Sequence, residues 1–128
     1  MPDSSAPTLF DDREIRAAER VLEAALAADD PTAWVYEYTE DAVFDGGGDY
    51  VVQGRAALLE TASTMRPMRS VSIRPRRTEG NASLATVWFE ASWVSGSADD
   101  GSAVEVRGVM LWRKEADGHW RVALEHLA

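Results

Sequence analysis

Val104-Glu105-Val106-Arg107-Gly108-Val109-Met110-Leu111-Trp112-Arg113-Lys114 runs into Glu115-Ala116-Asp117-Gly118 and returns as His119-Trp120-Arg121-Val122-Ala123-Leu124-Glu125-His126-Leu127. Two runs rich in valine, leucine and tryptophan flank an Asp-Gly pair, and glycine there can take the positive φ of a tight reversal, so the stretch reads as a β-hairpin. Counting by twos puts Val106, Gly108, Met110 and Trp112 on one face and Val109 and Leu111 on the other. The same count groups Trp120, Val122, Leu124 and His126. Neither face is purely polar, which predicts a hairpin covered on both sides, with any pocket opening on the face that carries His126.

Working outward, Leu84 to Val94 is a long strand with Ala85, Val87, Phe89, Ala91 and Trp93 on one face and Leu84, Thr86, Trp88, Glu90 and Ser92 on the other. Residues 95–102 form a polar loop. Val71 and Ile73 lead into Pro75, which cannot donate to a ladder and so marks an edge strand or a bulge. Ala42–Asp45 and Tyr50–Val52 are short strands joined by a glycine turn. Upstream, Ile15, Ala18, Leu22, Ala25 and Leu26 recur at helical spacing. Asp11 and Glu14 suggest a capping box, Phe10 a staple onto Ile15, and Arg13, Arg16, Arg20 and Glu23 a solvated face. Asp30 followed by Pro31 caps a second helix, Thr32 to Tyr38. A third helix runs from Arg55 to Met65 and stops at Pro67. The order predicts an α+β fold: three N-terminal helices packed on a strongly bent, mainly antiparallel sheet, with a cavity between them. Residues 1–9 read as a disordered tail and 10–128 as one domain.

Composition narrows the function. A net charge of −9 argues against nucleic acid and anionic membrane as partners, since both demand a basic footprint. The arginines around Pro67 and Pro75 fit a solvated strand edge better than a phosphate site. Without cysteine there is no disulfide, thiolate chemistry or cysteine-ligated metal. His119 and His126 are the only histidines and lack metal-ligand spacing, so neither metal nor cofactor is expected. No signal-peptide pattern and no run of ~20 apolar residues is present, which points to the cytoplasm.

Three short motifs carry a family resemblance: Tyr38-Thr39-Glu40-Asp41-Ala42-Val43-Phe44, Gly54-Arg55-Ala56-Ala57-Leu58, and Trp112 to Val122 around Asp117-Gly118. In order and spacing they resemble the NTF2-like superfamily, in particular its SnoaL-like and DUF4440 branches, over nearly the whole chain from Asp11. The resemblance implies a cone-shaped fold. It leaves function open among ketosteroid isomerases, polyketide cyclases, epoxide hydrolases, dehydratases and association domains. The isomerase needs a carboxylate base and an oxyanion hole of tyrosine plus an aspartic acid kept protonated by its apolar surroundings. The tyrosine position falls on Leu22 and the acid on Met110, neither a donor, while the base falls on Gly46 or Asp45 depending on the anchor. Classical steroid isomerisation is therefore not expected.

Asp45 is the candidate general base, unless it only starts the glycine turn in solvent. Strand alternation forbids Phe44 and Asp45 from both pointing inward without a bulge. His126 is its candidate partner, since relatives often carry histidine near this strand end and its pKa suits proton transfer near neutrality. Glu90, beside Trp88, is either an acid raised by an aromatic cavity or an outer-face partner of an arginine. Trp34, Tyr38, Phe44, Trp88, Met110 and Trp112 are the candidate ligand-binding walls. Two functions stay open. One is a cofactor-independent enzyme of the cyclase, isomerase, dehydratase or epoxide-opening type acting on an apolar, polyketide-like molecule. The other is a non-catalytic small-molecule-binding or association module. Twelve arginines against one lysine suggest a GC-rich bacterial genome, where SnoaL-like proteins accompany secondary metabolism. Large apolar groups on both faces of Leu84–Val94 predict a homodimer through the sheet.

Overall fold

The computed structural model describes residues 10–65, 67–96 and 101–128, so the expected tail at 1–9 and part of the loop at 95–102 lie outside the described residues. In chain order the elements are α1 (Arg13–Ala27), α2 (Pro31–Tyr36), β1 (Tyr38–Asp45), β2 (Val51–Gln53), α3 (Arg55–Ala62), β3 (Met68–Gly80), β4 (Leu84–Ser95), β5 (Ser102–Lys114) and β6 (Trp120–Leu127). The strands form one open sheet in the order β2-β1-β6-β5-β4-β3. Only the β1–β6 pairing is parallel; the other four are antiparallel. The fold is α+β, with its helices set against a mainly antiparallel sheet.

Helix α2 starts as its sequence suggests. Pro31 occupies the first turn, and Asp30 accepts hydrogen bonds from Thr32 N at 3.1 Å and Ala33 N at 3.2 Å. It ends two residues earlier than the spacing predicts. Val122 N donates to Glu37 O at 2.9 Å and Tyr38 pairs with Val122, so the sheet takes Tyr38 as a strand residue. Helix α1 has no capping box: the side chain of its N-cap, Asp12, makes no capping hydrogen bond, although Asp11 Oδ1 accepts from Arg13 N at 3.0 Å at the first turn. Glu14 instead accepts from Trp120 Nε1 at 2.7 Å, tying the helix to β6.

The face of α1 expected in water is partly recruited by the sheet. Arg16 donates to Thr78 Oγ1 at 2.6 Å, Arg20 donates to Ile73 O at 2.7 Å, and Glu23 accepts from Ile73 N. Strand β3 is a sheet edge, whose unpaired backbone groups need partners. Side chains of α1 supply them at Ile73. Glu19 is drawn fully inside, paired with Arg16 at 2.8 Å, and burial raises its pKa against that arginine's pull. Pro75 sits on this edge strand beside a register shift between Pro75 and Arg77.

A second shift matters more. Trp112 pairs with Val122 but Leu111 pairs with Leu124, which leaves Ala123 as an extra residue. Such a bulge reverses the face presented by everything beyond it. Trp120 and Val122 are buried with Trp112 in the core, whereas past Ala123 it is Glu125 that is buried, and Leu124 and His126 are exposed. The expectation that a pocket opens on the His126 face is thereby corrected.

Candidate functional site

A cavity of about 80 Å³ lies between α1 and α2 on one side and the concave face of the sheet on the other. Each wall follows from the local pattern. The apolar stripe of α1 contributes Leu22 and Leu26, and α2 presents Trp34. Inward positions of β4 supply Phe89, Ala91 and Trp93, while β5 supplies Val106 and Met110. Beyond the Ala123 bulge, β6 adds Glu125 and Leu127. All the other lining residues are apolar or aromatic, so Glu125 is the one carboxyl on the wall.

Glu125 is 8% exposed and accepts a short hydrogen bond from the Tyr38 hydroxyl through Oε1. Burial raises its pKa to about 7, and the Tyr38 hydrogen bond, which favours the anion, restrains the rise. Burial, then the charge of Glu125, drives the Tyr38 phenol well above its ordinary value, so Tyr38 stays a donor at neutral pH. Trp34 meets Tyr38 edge-on with ring centroids 6.3 Å apart. Among the described residues its buried indole N–H has no partner of good hydrogen-bond geometry, yet its approach acts to lower the phenol's pKa against the larger raising effects.

The residues expected at the site are divided between two faces. Trp34, Tyr38, Phe44 and Met110 line the cavity. Trp112 does not; it is fully buried in the core, and its indole N–H lacks a hydrogen-bond partner among the described residues. Trp88 is on the outer face, where the Arg77 guanidinium stacks 4.9 Å from its ring centroid. Glu90 is likewise outside, paired with Arg76 at 2.8 Å, because β4 alternates and Phe89 and Ala91 take the inward positions. Its placement in an aromatic cavity is corrected accordingly.

Asp45 and His126 do meet, with Oδ2 and Nδ1 3.0 Å apart, as directly paired residues of β1 and β6. They meet away from the cavity, since Phe44 takes the inward position on β1 and the bulge turns His126 outward. Asp45 also accepts from Gly47 N at 3.0 Å. That backbone N–H first, and His126 second, hold its carboxyl below the usual range. No group of three or more metal-ligating side chains exists among the described residues.

Glu125 is the residue that sequence reasoning missed. Uninterrupted alternation assigns it to the face opposite Val122, and nothing in Val122-Ala123-Leu124 announces the extra residue. A weak signal existed in a glutamate set within an apolar strand. Its cross-strand partner is Met110, the position at which the isomerase pattern lacks its acid.

This architecture is that of the NTF2-like superfamily, a helix-backed bent sheet enclosing an apolar cavity. Within it, residues 18–123 match the SnoaL-like domain, and the chain belongs to that family. Among solved structures, it is similar to a protein of unknown function from Mycobacterium tuberculosis, with 24% identity, a TM-score of 0.78, and coverage of 90% of this chain and 69% of that one. A ketosteroid isomerase-like protein from Erwinia carotovora atroseptica superposes with a TM-score of 0.74 at 21% identity, covering 93% of this chain and 96% of that one. An NTF-2 like protein of unknown function from Shewanella oneidensis gives 0.75 at 15% identity, covering 89% and 95%. At such identities the likeness establishes the fold alone. No curated protein matches the chain. Among the described residues no helix is long and apolar enough to cross a membrane.

Proposed function

We propose that the protein is a cofactor-independent enzyme that binds an apolar small molecule in this cavity and moves a proton to or from it through Glu125. The observation that carries the reading is a lone carboxyl on an otherwise apolar wall, hydrogen-bonded by Tyr38, with a pKa raised to about 7. A group that titrates near neutrality can both take and give a proton without a large penalty in either direction. Tyr38 is a positioning residue: its hydroxyl fixes Oε1 and leaves Oε2 for the ligand. Asp45 and His126, paired on the outer face, are not needed for this step.

A binding module is the second reading, favoured by the apolar Leu22 and Met110 on the cavity wall, which leave few donors for a developing oxyanion. Cyclopentanone in D₂O separates the two. Wild-type protein is expected to speed exchange of its α-hydrogens over Glu125→Gln, by the 10²–10⁴-fold typical of general acid–base catalysis, as followed by proton NMR. Equal rates would remove the enzyme reading and leave the binder.

The same reading includes a homodimer formed through the outer sheet face. Leu84 and Leu124 are exposed there, with Trp88, Val109 and Leu111 half-buried beside them. An apolar surface of this kind favours a self-complementary two-fold contact. Light scattering at micromolar concentration is expected to return twice the chain mass, and Leu124→Arg to shift it to the monomer. A wild-type monomer across that range excludes the dimer.

A further inference from the structure

We infer that the ligand is a small apolar amine, held as its ammonium ion by Glu125 and by the aromatic walls around it. The inference rests on the cavity reading above and specifies the chemistry of its occupant. Five aromatic side chains, Trp34, Tyr38, Phe44, Phe89 and Trp93, share the lining with Glu125, and no lysine, arginine or histidine does. Glu125 forms no ion pair among the described residues, and its sole hydrogen bond there is the one from Tyr38. Elsewhere in the molecule buried or half-buried acids have basic partners: Glu19 has Arg16, Glu37 has His119, and Glu115 has Arg121. Glu125 is the exception, and it borders the apolar cavity.

Three kinds of ligand can be ranked from this wall. An anion would meet a carboxylate and no cation. A neutral molecule can enter the cavity but leaves an ionised Glu125 uncompensated in apolar surroundings, so it binds less tightly than a cation of the same size. An ammonium ion neutralises Glu125 and places its positive charge against the faces or edges of several rings, whose faces attract cations. The volume sets the size. A cavity of about 80 Å³ holds on the order of five to eight water-sized groups, the scale of a five-carbon amine.

The pH dependence is specific because the groups sharing the cavity with Glu125 are silent. Leu22 of α1, Ile73 of β3, Phe89 of β4 and Met110 of β5 carry no charge. Tyr38 of β1 titrates far above neutrality.

Calorimetric titration of the full chain with cyclopentylamine, cyclopentanol and cyclopentanecarboxylate tests the inference at pH 8 and pH 5. The amine is expected to bind at least tenfold more tightly than the alcohol at pH 8, and the carboxylate weakest. The preference should collapse at pH 5, where Glu125 is protonated, and in Glu125→Gln at either pH. The wild-type pH arm keeps the test valid should the variant fold poorly. If amine and alcohol bind equally at pH 8, the amine inference falls while the cavity remains a ligand site. If none of the three binds, the amine inference and the cavity reading fall together.

Discussion

Glu125→Gln is expected to stabilise the protein at pH 8 relative to its effect at pH 4 by about 3 kcal/mol, the free energy of a shift from 4.5 to about 7. Glutamine keeps the volume and can still accept from the Tyr38 hydroxyl, so the substitution removes the charge and little else. The sign follows from the direction of the shift. Glu125 binds its proton more tightly in the folded than in the unfolded chain, so its favourable contribution is complete below the unfolded value and is lost as pH rises through the folded one. Between about pH 4 and pH 7 the wild type should therefore lose stability relative to the variant, with the difference flat on either side. Asp11, Asp41, Asp45 and Asp117 are shifted the other way, each lowered by its hydrogen-bonding partners. Their stabilisation is lost as pH falls, but it is common to both proteins and cancels in the difference. Urea melts at pH 4, 6 and 8 read it directly. A variant-to-wild-type difference that is the same at pH 4 and pH 8 would show that Glu125 is an ordinary solvated carboxylate.

That Glu125 had to be found in the structure says what a sequence of this kind conceals. The hairpin was legible because its signals are local: Gly118 takes φ 83° at the turn, and apolar alternation holds through Trp112. The start of α2 was legible for the same reason, since a cap acts within three residues. Strand faces are different. They are inherited along the strand from the last register shift, so one extra residue at Ala123 exchanges His126 for Glu125 at the cavity with no change in composition. The solvated face of α1 was misread by a related route. Arginine and glutamate look like surface residues until an edge strand, unpredictable from the helix itself, needs their donors and acceptors.

The walls of the cavity were partly legible because inward aromatics and core aromatics obey one pattern. Trp34, Tyr38 and Phe44 reach the cavity, whereas Trp112, equally apolar and on the inward face of β5, is fully buried in the core. Alternation assigns a face, but whether that face meets another side chain or empty space depends on where the helices lie. The acidic site was illegible for a more basic reason. In the proposed reading a carboxyl acts through its burial and its lack of a cationic partner among the described residues, and both are properties of the packed molecule.

The packing that brings Glu125 to the cavity has one exacting point, and Gly108→Ala should expose it. Gly108 pairs with Leu127 on one side and Phe89 on the other, and a Cβ built there would lie 2.1 Å from His126 O and 3.1 Å from Leu127 Cα. Those obstructing atoms are backbone, so rotamer changes cannot relieve the clash; β5 and β6 must separate. The separation would weaken the ladder that ends in Ala128 N donating to Arg107 O at 2.8 Å. It would also displace the segment that carries Glu125 and Leu127 on the cavity wall. Overpacking of this kind costs about 3 kcal/mol when the backbone must move, on the order of a 10 °C fall in Tm for a chain of this length. The consequence for the site has a defined direction. Loosened strands admit water to Glu125, reduce the burial that raises its pKa, and return it toward the ordinary carboxylate range. Gly108→Ala is thus expected to lower both the melting temperature and the pH at which Glu125 titrates, the latter read by carboxyl carbon NMR. A variant that melts with the wild type would mean that β6 is free to shift, and the close strand approach could not be what holds Glu125 at the cavity wall.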